Sequence, residues 1–486
     1  MSGRFFGRIA ASVVATALVA GCGDERAGVR QVDLILTGLH VIDVESGHVA
    51  KDRAIIVDAG DILDIRSADD TDGYAAQTSR SYDDAYAIPG LWDMHIHLRG
   101  GEELAAANAT MLSRYLPYGV TGVRDAAGSL SDKVIEWRDE VERGQRLAPH
   151  IHTGLLKIDG PDATWPGSIP VDSTDDIAPA LDRLTAEGAD FIKVYNSTIS
   201  DELYMATLEA AESRGLLTAA HIPFSVPFSD VMAAGLDSVE HAMYVHKAAS
   251  PRDDEIASAL KAGDFEGRGG VFGSLIDSFD EDHARSVFRR MAEQGMAVTP
   301  TLYIDHLLSW LDTYPHSDDP ELAHIPPEIV ATYQGRVARA GRRSPERIAA
   351  AHARIGETIA LVPLLEEEGV LLMAGSDSGA YNSFVYPGDS LHQEMRMMAD
   401  SGMTALGVLQ AATLNGPKWL GMDDRYGTLD PGKAADILIL NANPLEDIGN
   451  ARDMAGLVYR GEIIAMERLE TLRNAVPGSA NREVHQ

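Results

Sequence analysis

The chain reads as an α/β protein built around a parallel (β/α)8 barrel, and two observations carry that reading. Between about residues 89 and 425, short apolar segments alternate with helical stretches, the pattern of repeated βα units. Eight strand candidates can be placed there, at 94–98, 122–125, 150–155, 191–194, 217–221, 238–241, 297–302 and 370–377, and eight is the barrel number. Outside that interval the pattern changes. At both chain ends short apolar runs are divided by turn residues, which predicts a small β-rich unit.

The N-terminal runs are Asp33-Leu34-Ile35-Leu36, Leu39-His40-Val41-Ile42, Ala54-Ile55-Ile56-Val57 and Ile62-Leu63-Asp64-Ile65. A matching set follows the barrel, from Gly427 to Leu440 and from Gly456 to Ile464. Two intervals are long for βα connections. Residues 242–296, with Gly263, Gly267, Gly269 and Gly270, predict an irregular excursion over the site; 303–350, rich in proline and charge, predicts helices that cap the barrel mouth. No internal repeat or low-complexity tract stands out.

With 486 residues and 45% hydrophobic content the chain can bury a large core. A net charge of −33 argues against a nucleic-acid partner, because a phosphate backbone would be repelled over most of the surface. Arg4 and Arg8 precede an apolar run from Ile9 to Ala20, the layout of a secretory signal over residues 1–21 and too short for a stable span. Leu18-Val19-Ala20-Gly21-Cys22 resembles a bacterial lipobox, which implies lipidation of Cys22, an exported chain anchored to a bacterial membrane and facing the periplasm, and a tether over 22–31. An ordinary signal with an incidental thiol is the alternative. Cys22 is the only cysteine, so no disulfide framework exists within the chain.

The most informative motif is Pro89-Gly90-Leu91-Trp92-Asp93-Met94-His95-Ile96-His97. Residues i and i+2 share a face of a β-strand, so His95 and His97 aim two imidazoles at one point, half of a transition-metal site. With its Pro-Gly entry, this segment resembles the first barrel strand of the metal-dependent amidohydrolase superfamily, in the branch of imidazolonepropionase relatives and amidohydrolase-type dipeptidases. The resemblance extends from 32 to about 466. It implies a β-sandwich composed of 32–88 and 426–470 beside a barrel of 89–425, with a C-terminal tail over 471–486.

The other positions follow from the same resemblance. Lys193 ends Gly188-Ala189-Asp190-Phe191-Ile192-Lys193 and matches the carboxylated lysine of binuclear members, whose CO2-derived carbamate bridges two metals; an ordinary buried lysine paired with Asp377 at a single-metal site is the alternative. His221 and His241 close the fifth and sixth strand candidates. Asp377, in Ala374-Gly375-Ser376-Asp377, contacts one metal and handles the proton in the family. The implied set is His95, His97, Lys193, His221, His241 and Asp377, holding two divalent metal ions, with zinc expected.

A metal-bridging hydroxide would then cleave a carbon–nitrogen bond in a small amide or dipeptide, with Asp377 as general base and acid. A mononuclear imidazolone-type ring hydrolase or deaminase is the same-fold alternative, and a non-catalytic binding lipoprotein a more distant one. His150 and His152 form a second H-x-H that stays outside the ligand set, although one of them is expected to line the pocket. Tyr195, Tyr244, His246 and Tyr303 are candidates to touch substrate. Gly119 to Asp125 and Ala411 to Gly421 read as scaffold. The sequence leaves a homo-oligomer open.

Overall fold

The structure is a computed structural model that describes residues 29–265, 270–314 and 316–475. The signal segment 1–21, Cys22 and the last residues of the expected tail lie outside the described residues. In chain order the strands are β1 (Arg30–Ile42), β2 (Val49–Asp58), β3 (Asp61–Ser67), β4 (Tyr74–Pro89), β5 (Leu91–His97), β6 (Val120–Asp125), β7 (His150–Thr153), β8 (Lys157–Asp159) and β9 (Ile169–Pro170). They continue as β10 (Ile192–Val194), β11 (Thr218–Ala220), β12 (Ser238–Glu240), β13 (Ala297–Thr299), β14 (Leu371–Leu372), β15 (Ser378–Gly379), β16 (Ile437–Leu440), β17 (Met454–Tyr459) and β18 (Glu462–Ile464).

Both chain ends meet in one seven-stranded sheet of order β18-β17-β16-β4-β1-β2-β3. Only β1 and β4 are parallel neighbours in it. Leu34, Leu36 and Leu39 of β1, Ile55 and Val57 of β2, Ile437 and Ile439 of β16 and Val458 of β17 share one core. That shared apolar burial holds residues from opposite ends of the chain together. The two apolar runs expected at 33–36 and 39–42 are a single strand, interrupted at Gly38. Its φ is +72°, and a Cβ there would lie 1.9 Å from the Tyr82 carbonyl oxygen, so only glycine fits the bulge.

The remaining strands form two parallel sheets, of order β15-β5-β6-β7 and β14-β13-β12-β11-β10-β8-β9. Main-chain hydrogen bonds link the two sheets at two places. The Met94 amide donates to Ala374 O (2.8 Å) on one side and the Asp190 amide to Thr153 O (2.9 Å) on the other. Connecting helices are cut to length by their ends. Thr174–Glu187, for example, starts at a Ser173/Asp176 capping box, buries Ile177, Leu181 and Leu184 at helical spacing, and stops at Gly188 with φ +89°.

Three strand expectations need correction. The segment 150–155 ends at Thr153, because Leu155 turns with φ +56°, and β8 then lies between β9 and β10. The segment 297–302 stops at Thr299; Thr301 takes φ +48° and Leu302 opens the helix Leu302–Trp310. Within 370–377 only Leu371 and Leu372 pair as a strand. The excursion after residue 242 is helical over much of its described length, with Asp253–Ala262, Gly270–Asp277 and Glu281–Gln294. In the later insertion Ile304, Leu307, Ile325, Ile329 and Tyr333 pack with Leu104, Met111 and Phe384, forming a roof of their own.

An apolar layer of Trp92, Met94, Phe191, Ala219, Ala297, Met373 and Trp419 fills the space between the strands. The guanidinium carbon of Arg124 sits over Trp419 at 4.7 Å and over Phe191 at 5.2 Å. Charge begins where this layer ends, and the site is built on it.

Candidate metal centre

Parallel strands gather catalytic side chains at their C-terminal ends. His95 and His97 finish β5, Lys193 lies in β10, His221 and His241 directly follow β11 and β12, and Asp377 stands between β14 and β15. Asp93 ties the last of these to the first: its carboxylate accepts from the Ser376 amide (2.8 Å) and hydroxyl (2.6 Å), and the Asp377 amide donates to His95 O (2.6 Å). Burial pushes the Asp93 carboxyl up to about 7 despite the Ser376 bonds.

Five of the six expected residues converge tightly. His95, His241 and Asp377 offer ligand atoms that all lie within 4.8 Å of one another. His97 Nε2 is 3.2 Å from Asp377 Oδ1. His221 joins through its Nε2, 3.0 Å from His241 Nε2. Lys193 is fully buried, and its Nζ has no hydrogen-bond partner among the described residues. Its charge acts on His95, His221 and His241, which puts it against the same cluster.

The outer nitrogens of the histidines are already engaged. His97 Nδ1 donates to Ala127 O (2.9 Å), and His95 Nδ1 donates to the carboxylate of Glu240. In the neutral ring each donation leaves Nε2 as a bare lone pair. Those lone pairs then face the lone pairs of Asp377 Oδ1, at 3.2 Å from His97 and 3.7 Å from His95. Burial keeps the rings neutral. It lowers His95, it lowers His97 well below the usual imidazole value with help from Arg99 and Lys157, and it takes His241 to about 4 with help from His95.

Acceptors aimed at acceptors in a buried cluster fit a cation. The donor set of imidazoles and a carboxylate suits a divalent transition metal. His95 Nε2, buried without a hydrogen-bond partner, is where such an ion would be held. Burial, with Arg124, brings Lys193 down to about 8 against the pull of Glu240, so a neutral amine is accessible near physiological pH.

The sequence matches the family described as Amidohydrolase family over residues 86–465. The chain belongs to the amidohydrolase family. The expected enzyme class, a hydrolase acting on carbon–nitrogen bonds, follows from that membership. Ochratoxinase of Aspergillus niger is 22% identical over 471 residues, covering 86% of this chain and 83% of that protein. The 5-methylthioadenosine/S-adenosylhomocysteine deaminase of Teredinibacter turnerae is 30% identical over 104 residues, 20% of this chain, and the chain spans only 23% of that deaminase's length. Among solved structures, a Xaa-Pro dipeptidase with methionine in its active site has a TM-score of 0.64 at 20% identity, over 89% of this chain and 99% of that one; the likeness is one of fold.

Beside the cluster the amidohydrolase has a cavity of about 220 Å³, lined among others by Arg99, Lys157, Trp165, Asp305, Arg336 and Asn382. Of the residues expected to touch substrate, Tyr195 and Tyr244 line it. His246 and Tyr303 do not; the His246 ring is turned to Thr358 Oγ1 (2.9 Å). Neither member of the second H-x-H lines it, correcting the expectation that one would. His150 is clamped between Asp436 and Glu142, each at 3.0 Å, and His152 stacks on Trp92.

Sequence reasoning also missed the charges that support the cluster. Arg124, read as scaffold, donates to both oxygens of Glu240 (2.8 and 2.7 Å), and Ser238 Oγ donates to Glu240 Oε1 (2.7 Å). Burial alone would raise Glu240; Arg124 and Lys193 outweigh it and keep the carboxyl well below its usual range. Asn382 Nδ2 donates to Asp377 Oδ1 (2.6 Å) while its Oδ1 accepts from Arg99 (2.7 Å) and Arg336 (2.5 Å). The alternation His95, His97, Arg99 was the one signal that could have found Arg99.

Proposed function

We propose that this amidohydrolase is a metal-dependent enzyme that cleaves an amide or dipeptide carbon–nitrogen bond in a small substrate carrying a carboxylate. The observation that carries the reading is the facing of bare lone pairs on His95, His97 and Asp377 in a buried cluster. In this reading His95, His97 and Asp377 would hold one divalent ion and His221 and His241 a second, with zinc expected. Lys193 would bridge them after its amine adds to carbon dioxide with loss of a proton; its unpartnered buried Nζ supports that role. Such ions, when bound, polarise a carbonyl and make water nucleophilic near neutral pH.

The chain's own residues do the rest. Asp377, fixed through Oδ1 by Asn382, can take a proton on Oδ2 and return it to the leaving nitrogen, a transfer worth roughly 10²- to 10⁴-fold. Arg99 and Arg336 bring two guanidinium groups to the cavity wall, which suits a substrate carboxylate. The two parallel sheets are read as arcs of one eight-stranded (β/α)8 barrel beside a β-sandwich from both chain ends. Export and lipid anchoring at Cys22, facing the periplasm, belong to the same proposal and rest on the sequence.

A second reading, a single-ion deaminase or imidazolone-type ring hydrolase, is favoured by the compact group of His95, His241 and Asp377 and by the deaminase match. The test is a panel of dipeptides, N-acyl amino acids and cyclic amides, assayed with zinc and bicarbonate on the wild type and on Lys193→Ala. Release of a free amine that Lys193→Ala abolishes supports the binuclear reading. Ammonia release from exocyclic amines, retained in Lys193→Ala, supports the second. No turnover of any amide overturns the first.

A further inference from the structure

The cavity wall carries one charged group, Asp305, that neither the metal cluster nor the carboxylate-binding cations account for. Arg99 and Lys157 act electrostatically on His97. Asp305, which also lines the cavity, acts on His241 and Tyr244. Asp305 sits in the first turn of the helix Leu302–Trp310, between Ile304 and Leu308, which line the cavity with it from the roof. That helix is fixed from below: Glu394 accepts from the amides of Leu302 (2.9 Å) and Tyr303 (2.7 Å), so the Asp305 side chain is carried on a rigid element. Burial raises the Asp305 carboxyl; His241, Arg354 and Arg336 offset this only in part, and among the described residues its carboxylate takes no hydrogen bond or ion pair.

A half-buried carboxylate without such a partner, facing a small cavity, asks for a cationic ligand group. The cavity wall therefore carries both polarities: the guanidinium groups of Arg99 and Arg336 at Asn382, and the Asp305 carboxylate near His241. A free dipeptide carries both as well, with its α-carboxylate and α-ammonium on either side of the scissile amide. An N-acyl amino acid lacks the ammonium. We propose that Asp305 binds the free α-ammonium group of the substrate, so that the site prefers unblocked dipeptides to N-acyl amino acids. The proposal rests on the hydrolytic reading above and adds the amino-terminal half of the substrate to it.

The test uses the metal-loaded protein and two kinds of readout. The first is the ratio of kcat/KM for a free dipeptide to that for its N-acetyl form, in the wild type and in Asp305→Asn. The second is calorimetric binding of a ketomethylene dipeptide isostere, which has no amide to cleave, with and without its α-amino group. In the wild type the ratio should favour the free dipeptide, and removing the amino group should weaken binding, each by about tenfold or more; Asp305→Asn should bring both contrasts close to one. A wild type indifferent to the amino group, or contrasts unchanged in Asp305→Asn, overturns the proposal even if dipeptides are hydrolysed. The predicted binding contrast without turnover of either substrate would support Asp305 while overturning the hydrolytic reading.

Discussion

Glu240 holds Nδ1 of His95 with a carboxylate that is itself held by Arg124, and both charges are fully buried beneath the cluster. The pair lies 145 residues apart in the chain. It fixes the tautomer of His95 and so decides that Nε2 is the atom presented. Replacing Glu240 by Gln should cost roughly 10- to 100-fold in metal affinity or activity. It also leaves Arg124 without its counter-charge, at about 3 to 5 kcal/mol. Chelator titration and chemical denaturation of Glu240→Gln check both; a variant that keeps its metal and its stability would remove Glu240 from the account.

Arg336 is expected to act on binding more than on chemistry. Its guanidinium faces the cavity and touches Asp377 only through Asn382. Arg336→Met should raise KM for carboxylate-bearing amides by about tenfold or more, with a smaller change in kcat. Steady-state kinetics on an acid and its carboxamide separate this from a structural effect, because only the acid should be affected.

Gly375 is the close neighbour of the first ligand strand. A Cβ there would lie 2.6 Å from Thr299 Cγ2, 2.7 Å from His95 Cβ and 2.9 Å from the His95 nitrogen. Gly375→Ala should therefore displace His95, lowering stability by about 1 to 3 kcal/mol and metal retention with it. Thermal unfolding with and without added zinc measures both.

His150 gives a pH signature away from the site. Burial alone would lower it, but Asp436 and Glu142 outweigh burial and hold the imidazole at about 9, above its ordinary 6.5. A raised folded pKa stabilises fully below the unfolded value and is lost as pH rises through the folded one. Glu142, lowered to about 2 by His150 from an ordinary 4.5, stabilises above 4.5 and loses its contribution as pH falls towards 2. The stability difference between wild type and His150→Gln should be largest between about pH 4.5 and 6.5 and shrink by pH 9.5. Denaturation across that range checks it; a difference that grows with pH would reverse the sign.

The H-x-H of β5 made His95 and His97 legible by alternation alone, whereas Lys193, His221, His241 and Asp377 were legible only through the family resemblance of the segments that carry them. Arg124 and Glu240 were not. Each looks like an ordinary strand residue until folding brings them together across 116 positions. Asp305 and Arg336 come from the insertion expected to cap the barrel mouth, but nothing in its many charges marks these two, and only the packing of its roof helices turns them inward. Strand ends were misjudged where a non-glycine residue takes positive φ, at Leu155 and Thr301, because apolar or β-branched residues there give no turn signal. Lys157 of β8 was passed over because a lone lysine in a short mixed segment reads as surface, although it is buried with Nζ on Ala127 O.

In the proposed reading, the lone pairs facing one another on His95, His97 and Asp377 belong to a metal centre completed by Lys193, His221 and His241. Metal content per chain, read by elemental mass spectrometry on protein purified without chelators and with bicarbonate present, tests it most directly. Close to two divalent ions per folded chain is the predicted result. Folded protein that holds none, even after incubation with zinc, would contradict it.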